Sequence, residues 1–171
     1  VAVEMAGELI GLQMGLGFAI FFDPQSSGQI DIVGRFLGVI ASLAFLAIDG
    51  HLMTIALISQ SFSTLPVSTE GVTQATFTSL ANWGQEIFRA GLQLSLPVLT
   101  ALLITNLALG VLTRAAPQLN IFAVGFPITL SIGLIVLALS MPFYAPIFEH
   151  LVYDGLSLMM GILDISKIDM P

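Results

Sequence analysis

Four basic and eleven acidic side chains, with two histidines, hold nearly all the ionisable chemistry this sequence could perform. Asp49-Gly50-His51, inside the apolar run Leu46 to Ile58, is the pair best suited to relay a proton or hold a metal ion. On one helix, residues two apart point to nearly opposite sides. No HExxH pair and no cysteine accompanies them. Pairing with a neighbouring helix, or a kink at Gly50, is therefore the preferred reading. Glu4 and Glu8 lie one turn apart on one helical face. A charge at the centre of a bilayer costs about 2.5–3.5 kcal/mol on insertion scales, so the two together would cost roughly 5–7 kcal/mol against acyl chains. They are expected to face protein or water, with a helix end near the headgroups as the alternative. Arg114-Ala115-Ala116-Pro117-Gln118-Leu119-Asn120 is a polar island. Arg114 can cap the last carbonyls of the helix before it, Pro117 breaks the chain, and Gln118 and Asn120 can satisfy freed backbone groups. A tight helical hairpin is expected there. Gly15-Leu16-Gly17 lacks the third glycine of a dinucleotide loop, and no nucleophile triad is visible. Neither an enzyme nor a cofactor or metal site is expected.

The elements that carry these residues must suit lipid. The 171 residues are 56% hydrophobic and 9% charged, with a mean hydropathy of +1.00. Soluble domains carry about 25% charged residues. A water-facing enzyme surface is excluded on that ground, and a net charge of −7 repels nucleic acid. With no cysteine, disulfide frameworks and thiolate sites are excluded too. The class is a polytopic helical protein adapted to a membrane. Val1 opens inside an apolar run without a basic leader, so the C-terminal part of a longer protein is expected.

Five segments follow from the punctuation. Val1 to Phe22 is a helix candidate, and Asp23-Pro24-Gln25-Ser26-Ser27-Gly28 stacks turn formers behind it. A second run extends from about Ile32 to Phe62, and Leu65-Pro66 ends it. Val67 to Glu86 is a polar, Ser- and Thr-rich linker. Charge-free stretches of 24 residues between Arg89 and Arg114, and of 34 between Arg114 and Glu149, come next. The first fits one crossing of a hydrocarbon core about 30 Å thick. The second would be about 51 Å long as a helix, too long for one crossing and too short for two. It contains Pro127, Pro142 and Pro146, so kinked or broken helices are expected. With Arg35 and Arg114 on one side and Arg89 and Lys167 on the other, the positive-inside rule gives no orientation.

Gly7, Gly11 and Gly15 recur every four residues, and Gly34 and Gly38 repeat the spacing around Arg35. Such small-xxx-small stripes let a second helix approach closely. Phe21-Phe22-Asp23-Pro24-Gln25 joins two aromatics to a chain reversal. On composition alone it reads as an interfacial loop with aromatic anchors.

Leu103 to Pro127, LITNLALGVLTRAAPQLNIFAVGFP, closely resembles the FliR family of flagellar export-gate subunits of type III secretion. The resemblance extends to ELIGLQMGLGFAIFFDPQ at Glu8 to Gln25, FLAIDGHLMTIALISQSF at Phe45 to Phe62 and AGLQLSLPVLTALL at Ala90 to Leu103. It implies an all-α, membrane-type subunit of kinked helices and hairpins, built into a helical spiral with FliP and FliQ. The channel of that spiral passes unfolded flagellar proteins across the bacterial inner membrane, in the flagellar basal body beside FlhB and FlhA. It further implies FliP-like helices over 1–66, a polar linker over 67–89, and a FliQ-like hairpin with a tail over 90–171. The loop at 18–34, centred on Phe22, Asp23 and Pro24, would then plug the channel, a role that composition alone does not favour. Gly7, Gly11, Gly15, Gly34 and Gly38 would pack helices. Glu4, Glu8, Asp49, His51, Arg114, Gln118 and Asn120 would be buried polar or inter-subunit residues. The alternative from another class is a small ion-coupled transporter using Asp49, His51 and Glu86 with Arg89.

Overall fold

The computed structural model describes residues 1–17, 32–64, 74–118 and 120–168. Every regular element among them is an α-helix: α1 (Ala2–Gln13), α2 (Ile32–Ala47), α3 (Gly50–Thr64), α4 (Gln74–Ala115) and α5 (Ile121–Ile168). The all-helical, membrane-type class expected from composition therefore holds. Within α4, Phe77–Ala115, and within α5, Ala123–Gly161, are long and apolar enough to cross a membrane. The α2–α3 pair would be a third crossing if the two count as one bent span.

Three elements depart from expectation. Helix α1 stops at Gln13, well before Phe22. Gly15 adopts φ 86°, the Leu16 amide donates to the Gly11 carbonyl (3.0 Å) and the Gly15 amide to the Leu12 carbonyl (3.1 Å). That pair of bonds around a left-handed glycine is a Schellman stop. Gly15 thus ends the helix, outside the regular turns that carry Gly7 and Gly11. Second, the stretch expected as a linker is helical from Gln74 onward and runs without interruption into the charge-free segment as α4. Third, α5 is one helix of 48 residues although it contains Pro127, Pro142 and Pro146. A proline deletes one N–H and crowds the preceding turn, but in lipid nothing replaces the remaining helical bonds, so continuing the helix is cheaper than opening it.

Two compact units form, each discontinuous in sequence: Val1–Val39 with Gly91–Tyr144, and Ile40–Ala90 with Ala145–Pro171. In the first, α1 presents Ala6, Ile10 and Met14, all fully buried, at four-residue spacing. Val33 and Leu37 of α2, Leu94, Val98 and Leu102 of α4, and Leu137 and Tyr144 of α5 complete that core. The second unit has a smaller centre, in which Leu57 of α3 packs with Val152 and Leu156 of α5.

Candidate functional site

Glycine decides how close the helices of the first unit come. A Cβ on Gly7 would overlap the backbone of Gly34 in α2 and sit 2.9 Å from the Val33 carbonyl carbon. The α1–α2 crossing is thus a backbone-to-backbone contact, the arrangement for which small residues are selected in membrane helices. Gly11 continues the seam more loosely, its added Cβ lying 3.9 Å from Val33 Cγ2. Among the described residues nothing lies within 4 Å of a Cβ built on Gly38.

Two further glycines seat α1, and no spacing rule singled them out. A Cβ on Gly91 of α4 would overlap the Met5 side chain and stand 3.0 Å from the Ala2 carbonyl oxygen. One on Gly133 of α5 would lie 2.6 Å from Met14 Cγ. The Thr129 hydroxyl, 3.3 Å from the Met14 carbonyl and 3.1 Å from that of Phe126, offers its proton at the end of α1. Neither has another glycine four residues away in its own helix, so the pairing with α1 exists only in three dimensions.

Farther along the first unit the Tyr144 hydroxyl donates to the Leu94 carbonyl at 2.8 Å. Pro97 lies within α4 and cannot bond the Gln93 carbonyl one turn back, which loosens this stretch of the ladder. A buried tyrosine from α5 thus supplies a donor where α4 is locally short of one.

The charged candidates behave differently from the glycines. Glu4, Glu8, Asp49, Arg114, Gln118 and Asn120 are all exposed. The Glu4 carboxylate lies 3.2 Å from the Val1 amino group, and Glu86 pairs with Arg89 in the same helix at 3.3 Å. Arg114 occupies the last turn of α4, where a cation meets the carbonyl end of the dipole. The Asn120 carbonyl accepts the Ala123 and Val124 amides at 3.0 and 3.2 Å and so starts α5. Among the described residues no group of three His, Cys, Asp or Glu side chains could hold a metal ion.

Asp49 proves to be a backbone device. It is the one non-glycine residue with positive φ among those described, at 57°, and α2 and α3 meet there at 68°. Its amide donates to the Leu46 carbonyl, and its carbonyl accepts the Leu52 and Met53 amides, so it closes one helix and opens the next. Gly50 follows because a Cβ there would strike the Phe45 ring at 2.5 Å. The break is thus at Asp49 and Gly50 together. His51 Nδ1 and Trp83 Nε1 are buried without a hydrogen-bond partner among the described residues. Phe21, Phe22, Asp23, Pro24 and Gln25 lie outside the described residues.

Apolar helices longer than a membrane crossing, packed through glycine, define a helical membrane-associated protein. The sequence profile of bacterial export proteins, family 1, matches residues 1–155, and the chain belongs to that family. It is 51% identical over 162 residues to the Flagellar biosynthetic protein FliR of Pectobacterium carotovorum subsp. carotovorum. It is 46% identical over 162 residues to the protein of that name from Escherichia coli. Both alignments cover 95% of this chain and 62% of the relative. The Bacillus subtilis protein of that name is 32% identical over 152 residues, covering 82% of this chain and 55% of its own. The chain thus spans less than two thirds of the length of these relatives, and the resemblance read from its motifs holds.

Proposed function

We propose that the chain is part of a flagellar type III export gate in the bacterial inner membrane at the basal body, non-enzymatic, joined with FliP and FliQ around a channel for unfolded flagellar proteins. FlhB and FlhA would be its neighbours. The observation that carries this reading is the length of apolar surface left uncovered. Exposed large hydrophobics run from Phe77 to Val111 along α4 and from Val124 to Met160 along α5. At 1.5 Å per residue these contours are about 51 and about 54 Å. A hydrocarbon core is about 30 Å thick, and even a 40° tilt would shorten the projections only to about 39 and about 41 Å. Phe77 and Leu80 moreover lie beyond the Glu86–Arg89 pair, and Met159 and Met160 beyond Glu149. Apolar surface on that scale outside lipid calls for other protein subunits. The exposed Glu4 and Glu8 have the same need if their helix lies at membrane depth.

The regions 1–66 and 90–171 would then be the FliP-like and FliQ-like parts, and the loop at 18–34 the channel plug. Co-purification tests the reading. The full-length protein bearing an affinity tag should retain FliP and FliQ through detergent extraction, and Gly11→Leu should reduce their recovery. A full-length protein that is monodisperse, folded and free of both subunits would refute it.

A further inference from the structure

The ends of α4 and the start of α5 enclose a groove of about 430 Å³ lined by Ile104, Ala108, Leu109, Leu112, Ile128 and Ile132. That volume is within the roughly 300–1,000 Å³ of ordinary small-ligand sites. Its one polar lining residue, Thr105, already donates its hydroxyl to the Ala101 carbonyl at 2.8 Å. Nothing in the groove asks for a polar ligand, so it suits an apolar occupant such as a hydrocarbon chain.

Length and charge say which hydrocarbon. From Ile104 to Leu112 the helix rises about 12 Å, and Arg114 stands about 3 Å farther on. Together these make about 15 Å, half of a hydrocarbon core about 30 Å thick. A chain laid in the groove would therefore cross one leaflet, with Arg114 at the level of its headgroup. Arg114 is exposed and forms no ion pair among the described residues. The sequence holds no Asp or Glu between residues 90 and 148. In a chain with eleven acids, this guanidinium has been left with no carboxylate near it in sequence. A phosphate diester matches its fork of donors and supplies the missing negative charge.

We propose that this groove and Arg114 form a phospholipid site, with one acyl chain along α4 and α5 and the phosphate on the guanidinium. The test uses the assembled full-length complex in vesicles of phosphatidylethanolamine and phosphatidylglycerol, the latter carrying a photoreactive group on its acyl chain. Adducts are mapped by mass spectrometry. They should concentrate on Ala108, Leu109 and Ile128 over exposed positions at the same depth outside the groove, Leu103 and Leu107. Arg114→Gln should lower the groove yield about five-fold, the share of a single basic residue at a phosphate surface. Arg114→Lys should keep most of it. Ala108→Trp should abolish groove adducts while those at Leu103 and Leu107 persist, which separates a filled groove from a misfolded chain. Adducts spread evenly over all exposed positions, or a yield indifferent to Arg114→Gln, would overturn the proposal. So would a groove shielded from lipid by another subunit, seen as no adducts there in the unsubstituted complex.

Discussion

Replacing Gly7 by alanine adds a single methyl group at the tightest place in the first unit. Its carbon would overlap Gly34 and stand 2.9 Å from the Val33 carbonyl carbon, against an ordinary contact of 3.4–4 Å. Both obstacles are backbone, so no side chain can rotate away, and α1 and α2 must separate by about 1 Å or more. A gap of that size forfeits a quarter to a half of each dispersion contact it opens. Ala6 and Ile10, fully buried beside the crossing, lose part of theirs. Overpacking of this kind costs roughly 1–3 kcal/mol. Since alanine favours a helix over glycine by about 0.8–1.0 kcal/mol, a net loss of about 1 kcal/mol is expected. Gly38→Ala, with nothing within 4 Å among the described residues, should instead gain up to about 1 kcal/mol from that same preference. The two variants should therefore differ by about 2 kcal/mol, the overpacking cost itself, or roughly 30-fold in the folding equilibrium. Denaturant titration of the detergent-solubilised full-length protein, followed by circular dichroism, measures the gap. If Gly7→Ala unfolds at the same denaturant concentration as Gly38→Ala, the close-packed seam is not what holds α1.

Other substitutions probe the remaining features. Asp49→Val should destabilise the protein by about 1–2 kcal/mol, because a β-branched residue tolerates left-handed backbone poorly, whereas Asp49→Gly should be neutral or stabilising in the same titration. Tyr144→Phe removes the donor to the Leu94 carbonyl and should cost roughly 1 kcal/mol, and Pro97→Ala in the same chain should recover part of it. Deleting Phe22 to Gly28 should raise ion conductance through the assembled gate in planar bilayers; an unchanged conductance would remove the plug from the proposed mechanism.

How much of this was legible in the residues differs by feature. The all-helical class and the hydrophobic excess follow from composition, because lipid permits few alternatives. Gly7 and Gly34 could be found because each belongs to a four-residue repeat, a local signal. Gly91 and Gly133 could not, since each meets α1 from a distant segment with no second glycine four residues away. Gly15 shared the spacing of Gly7 and Gly11, and it also ends the helix. A left-handed glycine and a packing glycine look alike until the backbone dihedrals are known. The prolines of α5 do not break it, because a freed carbonyl finds solvent in water but not in an apolar setting, where the helix continues. Asp49 drew notice as a titratable group, and its use is conformational.

The Thr129 hydroxyl and the Met14 carbonyl are separated by 115 residues. At the usual 5–20 residues per second of translation, that interval is about 6–23 s. For about the first two thirds of it the segment around Gly91 has not yet been made, and for all of it the segment around Gly133 is missing. A short helix with two carboxylates and an unsatisfied glycine seam has no stable home in lipid for that long. Its biogenesis therefore depends on being sheltered, by the insertion machinery or by a waiting companion, until the last long helix emerges to close over it.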